Sequence, residues 1–215
     1  MKVDFHNHIL PGLDDGAIDL QDSVMLAKAL SSWGFERAYC TPHINAKHRN
    51  TPETILSAFE ALQEALYKEG CSLELKMSAE YRLVPDTWPE VLKQNWLMPI
   101  EDKYILTEFP ISKPYKMGDI KPLEEFSKII SMGLTPLLPH PERYAYLCED
   151  DLKRFVDAGV VIQSNYGSLA GLYGEEVRQK VLELKDKGYI SIYGTDLHNA
   201  KYVQVLNRWF ATNPL

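Results

Sequence analysis

His6 and His8 stand two residues apart in the stretch Asp4-Phe5-His6-Asn7-His8-Ile9-Leu10-Pro11-Gly12-Leu13-Asp14-Asp15-Gly16. On an extended strand successive side chains alternate faces, so both imidazoles point the same way and can share one metal ion. Pro11, Gly12 and Gly16 then break regular structure around two carboxylates, Asp14 and Asp15, which sets hard oxygen donors on a loop beside the imidazoles. Mixed nitrogen and oxygen ligands suit zinc, iron or manganese. A His-x-His pair by itself reads equally well as two solvated histidines, so the rest of the chain has to decide.

The elements that position such residues follow from periodicity. A strand at Val3 to Phe5 leads into a helix over Asp19 to Trp33, with Leu20, Val24, Ala27 and Leu30 on one face and Gly34 as its stop. A strand at Phe35 to Cys40 ends in Thr41-Pro42-His43, and Thr51-Pro52 opens a helix that Gly70 closes. Cys71 to Ala79 reads as a strand ending at Glu80, and Lys103 to Thr107 as one ending at Glu108, with a short helical piece near Pro89 to Asn95 between them. A helix near Asp119 to Met132, the strand Leu134 to Leu138, a helix near Asp150 to Ala158 and the strand Val160 to Ser164 follow. The chain then reads as a helix near Glu175 to Lys187, the strand Tyr189 to Gly194 and a last helix near Tyr202 to Phe210. Seven strand-helix units without hairpin signals predict a parallel sheet closed into a TIM-like barrel, α/β in class. The competing open doubly wound sheet calls for a Gly-rich phosphate loop after the first strand, which the sequence lacks.

Position makes the histidines informative. His6, His8, His43, Glu80, Glu108, His140, Asp196 and His198 all fall at or just past the C-terminal end of a predicted strand, the face on which barrel active sites sit. Five of the six histidines are there, and only His48 lies elsewhere. With Asp15 they make nine candidate ligands, too many for one ion, so two or three ions about 3.5 to 4 Å apart are expected.

Composition narrows the class. The 215 residues, 45% of them hydrophobic, suffice for a single domain spanning 1–215. A formal charge of −7 argues against nucleic acid as partner. No signal-type apolar segment and no run of about 18 apolar residues is present, which predicts a cytoplasmic location without direct membrane insertion. Three cysteines with no Cys-x-x-Cys spacing indicate neither a disulfide framework nor a thiolate zinc site. Cys148 and Arg154 have the Cys-x5-Arg spacing of cysteine-dependent phosphatases, but Glu149, Asp150 and Asp151 beside the thiol would repel a phosphate dianion and raise the thiol pKa.

The sequence resembles the polymerase and histidinol phosphatase (PHP) superfamily, and within it the CpsB/CapC/YwqE type of bacterial protein-tyrosine phosphatase. The resemblance rests on Asp4-x-His6-x-His8-Ile-Leu-Pro-Gly-x-Asp14-Asp15-Gly16, Thr41-Pro42-His43, Glu80, Glu108, His140-Pro141-x-Arg143-Tyr144, Gln163-x-Asn165-x-Gly167-Ser168 and Asp196-x-His198-Asn199, and spans residues 3–199. It implies a distorted (β/α)7 barrel of the PHP fold, a metal centre on the nine ligands named above, and Asp15 rather than Asp14 as the loop ligand, with Asp14 shaping the turn. It also implies that Arg143 binds the substrate phosphate, a role a guanidinium fork suits. The expected metals are two or three divalent ions, manganese first, with iron, zinc, cobalt or magnesium as alternatives. The expected reaction is phosphomonoester hydrolysis by a metal-activated hydroxide, on a phosphotyrosine protein such as the tail of a bacterial tyrosine kinase of capsule or exopolysaccharide synthesis. A small-molecule phosphatase such as histidinol phosphatase is the first alternative, and a non-enzymatic metal-stabilised module of polysaccharide export the second. Family members related to the streptococcal enzymes carry a second arginine shortly after Asp-x-His-Asn, whereas here Lys201 stands in that region. Lys201, Asn165 and Tyr144 are therefore added as candidate substrate contacts, and Tyr115, Tyr166 and Tyr173 as candidates for lining the mouth with Tyr144. The oligomeric state is not readable.

Overall fold

The computed structural model describes residues 1–111 and 121–215. In chain order the elements are β1 (Val3–Asn7), α1 (Leu20–Ser32), β2 (Arg37–Cys40), β3 (His43–Ile44), α2 (Pro52–Lys68), β4 (Glu74–Met77), β5 (Glu80–Arg82), α3 (Trp88–Lys93), β6 (Tyr104–Glu108), α4 (Pro122–Ser131), β7 (Thr135–Pro139), α5 (Glu149–Asp157), β8 (Val161–Asn165), α6 (Tyr166–Leu169), α7 (Glu175–Asp186), β9 (Ile190–Gly194) and α8 (Ala200–Thr212). The chain divides into two compact units, Met1–Ala79 with Gly194–Leu215, and Glu80–Tyr193.

In the first unit β1, β2 and β4 form a sheet in that order, and both pairings are parallel. The helix starts obey their local chemistry. Asp19 caps α1 by accepting from the amides of Gln21 and Asp22, and Thr51 caps α2 with Pro52 as the first helical residue, where a missing N–H costs nothing. Leu26, Leu30, Ile55, Leu62 and Leu206 are fully buried, each adding on the order of 1.5–3 kcal/mol of hydrophobic stabilisation. α8 is tied to α1 by the Trp33 indole N–H donating to Asn207 at 2.7 Å and by Trp33 stacking on Phe210 at 5.1 Å.

In the second unit β5, β6, β7 and β8 pair in parallel, with β9 next in order. Phe109, Phe126 and Phe155 form an aromatic core with centroids 5.3 to 6.1 Å apart. The buried Trp88 indole is satisfied by Glu125 at 2.9 Å.

One strand departs from expectation. The stretch predicted to run from Cys71 to Ala79 and end at Glu80 is two strands of different sheets: β4 stops at Met77 beside Cys40, and Glu80 opens β5, opposite Leu106, rather than closing a strand. The Ser78 amide makes a last bond to the Cys40 carbonyl at 3.0 Å, after which the ladder ends. Ser78 and Ala79 are small enough to continue the strand pattern, so periodicity carries no sign of the break. The short β3 and α6 were not expected either. Among the described residues no helix is long and apolar enough to cross a membrane.

Candidate metal centre

In the first unit six of the sequence-predicted residues come together: His6, His8, Asp15, His43, Asp196 and His198. His6 and His8 leave β1 on the same face, as the period of a strand requires, with Nε2 atoms 3.2 Å apart. The segment after β9 is zipped to β1 by backbone bonds, Asp196 N–H to the His6 carbonyl at 2.7 Å and His8 N–H to the Leu197 carbonyl at 2.9 Å. Asp4 reinforces that seam: buried and accepting from the Thr195 amide and hydroxyl, both at 2.8 Å, and from Asn7 at 3.0 Å. Burial pushes its carboxyl up to about 6, against the pull of those hydrogen bonds.

The imidazoles crowd one another, with ring centroids 4.1 Å apart for His8 and His198, 4.5 Å for His8 and His43 and 5.2 Å for His6 and His8. Asp196 Oδ1 lies 3.4 Å from Nε2 of both His6 and His8. Asp15, its side chain 52% exposed, brings Oδ1 to 3.4 Å from Nε2 of His43 and 3.7 Å from Nε2 of His198. Burial and the neighbouring His8 push His198 down to about 4. Burial also opposes charge on His8, but Asp14 outweighs it and raises His8 to about 10. Three sets, His8/His43/His198, His6/His8/Asp196 and Asp14/Asp15/His43, each have ligand atoms within 4.8 Å of one another. Buried imidazole lone pairs and carboxylates converging in this way are the donor set of a divalent cation, so the residues fit a metal.

In the second unit Glu80, Glu108 and His140 are all buried. Glu80 Oε1 is 3.3 Å from His140 Nε2, and the His140 amide donates to the Gln163 carbonyl at 2.7 Å. Arg143, three residues on, has its guanidinium carbon 4.3 Å over the Tyr173 ring centroid, a cation–π contact. Glu142 is 2% exposed and accepts from the Ser164 hydroxyl at 2.9 Å, the Asn165 amide at 2.9 Å and the Ser168 hydroxyl at 2.7 Å. It pins the turn that carries His140 and Arg143 to the end of β8.

The candidate substrate contacts are placed unevenly. Asn165 is buried, taking a 2.8 Å bond from Gln163 with its Nδ2 3.5 Å from the Tyr173 hydroxyl. Tyr144 is fully buried and its hydroxyl accepts the Phe109 amide at 3.0 Å, so it does not stand at a solvent-facing mouth as expected; the satisfied hydroxyl is what lets the ring sink. Tyr166 and Tyr173 are half-buried. Lys201 is exposed in the first turn of α8, and Tyr115 lies outside the described residues. His140 and Asp196, φ 41° and 51°, have left-handed backbones, as do Asn95, Glu101 and Asp102; the conformation is uncommon outside glycine.

Sequence reasoning missed Glu142 and Arg82. Asp14, expected to shape the turn, does accept the Gly16 amide at 2.9 Å, and what the sequence did not show is that its Oδ2 lies 2.8 Å from Nδ1 of His8; Arg82 donates to Glu108. The doubled acid beside His-x-His and the acid between His140 and Arg143 were the available signals.

Parallel α/β units bearing such buried imidazole and carboxylate sets define the class of metal-dependent hydrolases, and comparison with known proteins narrows it. Residues 2–204 match the family described as capsular polysaccharide synthesis, CpsB/CapC. The chain belongs to that family. It is 32% identical over 202 residues to tyrosine-protein phosphatase YwqE of Bacillus subtilis, covering 93% of this chain and 78% of that protein. It is 23% identical over 205 residues to tyrosine-protein phosphatase CpsB of Streptococcus pneumoniae, covering 92% and 83%. Among solved structures, the work on B. subtilis YwqE and S. pneumoniae CpsB, described as unique metal-dependent tyrosine phosphatases, matches with a TM-score of 0.83, 30% identity and coverage of 98% of this chain and 88% of that one. A histidinol phosphate phosphatase from Lactococcus lactis matches with a TM-score of 0.58 at 10% identity, covering 98% and 92%, a likeness of fold alone. The PHP-type α/β fold expected from the sequence is thus the one found.

Proposed function

We propose that this protein is a metal-dependent protein-tyrosine phosphatase acting in the cytoplasm on a bacterial tyrosine kinase of capsule or exopolysaccharide synthesis. In this reading both units belong to one metallophosphatase domain. His6, His8, Asp15, His43, Asp196 and His198 of the first unit and Glu80, Glu108 and His140 of the second hold two or three divalent ions, manganese foremost. The observation that carries the reading is the pair of donor sets that share His8, His8/His43/His198 and His6/His8/Asp196, each with ligand atoms within 4.8 Å of one another. Family membership adds the kind of substrate, because the curated relatives are named tyrosine-protein phosphatases.

Bound divalent ions supply Lewis acidity toward phosphate oxygens and lower the pKa of the attacking water. The chain's own residues do the rest. Arg143, packed over Tyr173, presents N–H donors to phosphate oxygens and stabilises the charge that spreads over them during transfer. Glu142 keeps that arginine in register with His140. The leaving group is a phenolate with a pKa near 10, which departs with less protonation than an alkoxide needs, so the site does not depend on a strong general acid. Lys201 and Asn165 complete the proposed substrate contacts.

The test is hydrolysis of a phosphotyrosine peptide and of histidinol phosphate by protein stripped of metal and reloaded with manganese, iron, zinc, cobalt or magnesium in turn. Higher kcat/KM on the peptide supports the reading. Preference for histidinol phosphate overturns the substrate, and no hydrolysis of any phosphoester with every metal overturns the enzyme.

A further inference from the structure

The loop after β1 supplies two adjacent acids that meet different atoms of the histidines. Asp15 faces the Nε2 atoms of His43 and His198 and is half open to solvent. The Asp14 side chain is 1% exposed, and both of its oxygens are taken up within the loop and its neighbours. Oδ1 accepts the Gly16 amide at 2.9 Å, and Oδ2 accepts the His43 amide at 2.9 Å and lies 2.8 Å from Nδ1 of His8. An imidazole that gives its Nδ1–H to a carboxylate is left with Nε2 as the nitrogen whose lone pair a cation takes in place of a second proton. Nε2 of His8 is the atom 3.2 Å from Nε2 of His6 and 3.4 Å from Asp196 Oδ1, inside the donor cluster.

Gly16 keeps this loop against the strand. A Cβ built there would lie 2.0 Å from the His8 carbonyl oxygen, and the next residue, Ala17, donates its amide to that same oxygen at 3.0 Å. Only a residue without a side chain lets the loop close far enough for Asp14 to reach under the His8 ring.

We infer that Asp14 is a positioning residue and not a ligand: it fixes the His8 ring with Nε2 toward the cation site and, through the His43 amide, sets the start of the segment that presents a second imidazole. The inference rests on the reading of His8 and His43 as metal ligands. Asp14 and Asp15 thereby divide the work, one orienting from behind and one facing the ion.

The experiment compares wild type, Asp14→Ala and Asp14→Asn after chelator stripping. Zinc stoichiometry and affinity are measured by competition with a chromogenic chelator, and the His8 tautomer by 15N spectroscopy of the zinc-loaded protein. Asp14→Ala is expected to bind as many ions as wild type with roughly 10–100-fold weaker affinity, the usual effect of losing a carboxylate behind a ligating histidine. The His8 ring is expected to lose its fixed Nδ1-protonated form. Asp14→Asn, whose amide oxygen still accepts from Nδ1, retains that form and lies between the two in affinity, which keeps the test open if the alanine variant does not fold. Loss of a whole ion in either variant makes Asp14 a ligand and overturns the inference. So does unchanged affinity and tautomer in both, which leaves Asp14 to shape the turn alone. A wild-type protein that takes up no zinc and no manganese overturns the ligand reading beneath it.

Discussion

Arg82 grips Glu108 through a single oxygen: its Nε and Nη2 lie 2.8 and 2.7 Å from Oε1. The two residues face each other across the parallel pair β5 and β6, in direct register. Glu108 is 2% exposed, so the guanidinium is the counter-charge that a carboxylate in that interior needs. Replacing Arg82 with Met leaves this acid without its partner and is expected to lower stability of the stripped protein by about 1.5–3 kcal/mol. Adding manganese should recover more of that loss in the variant than in wild type, because a cation at Glu108 replaces the missing charge. Urea unfolding with and without metal measures both; equal recovery would mean that Glu108 meets no cation.

Gly16→Ala puts a methyl where the His8 carbonyl already is. Overpacking of this kind costs about 1–3 kcal/mol, and here it must also shift His8. The variant should melt lower and lose metal affinity, whereas Gly70→Ala, where nothing lies within 4 Å of a built Cβ, should keep its affinity. Calorimetry and metal titration separate the two.

Arg143→Ala should reduce kcat/KM on a phosphotyrosine peptide by roughly 10²–10³, the scale seen when one donor to developing charge is removed. Arg143→Lys should recover part of this as a point charge without a fork. Glu142→Gln is expected to weaken the same step less, by loosening the three bonds that seat the turn, and to show it chiefly in KM.

Metal removal should destabilise the whole protein. At an ion concentration about 100-fold above Kd the native state gains about 2.7 kcal/mol, and for a chain of this size that corresponds to a melting shift of about 5–10 °C. Scanning calorimetry before and after chelation reads it directly.

Cys148→Ser should leave turnover unchanged. The thiol is exposed at the start of α5, with its sulfur 3.1 Å from Asp151, in none of the donor clusters. His43→Ala should abolish turnover. The reverse pattern would place the protein among cysteine-dependent phosphatases.

The placement of several candidate residues was legible because strand period and strand ends constrain it directly: His6 and His8 share a face, and His140 and Asp196 follow β7 and β9 as expected, whereas Glu80 opens a strand and does not end one. The helices were equally legible from Asp19, Thr51 and the closing glycines. The division of Cys71 to Arg82 into β4 and β5 was not, since Ser78 and Ala79 interrupt a ladder without interrupting a pattern. Asp14 and Glu142 were hidden for a different reason. An acid that accepts three bonds from its surroundings looks in sequence like any loop acid, and only coordinates distinguish a buried acceptor from a solvated one. Tyr144 failed the other way, since an aromatic residue beside a site motif is as easily core as rim until the partner of its hydroxyl is known.

The left-handed backbones of His140 and Asp196 set fitness for heat against fitness for chemistry. Glycine at either position would relieve roughly 1–2 kcal/mol of conformational penalty while discarding a proposed cation donor. A laboratory lineage selected for thermal endurance alone should therefore drift toward glycine at these two codons and arrive at a sturdier but catalytically silent protein.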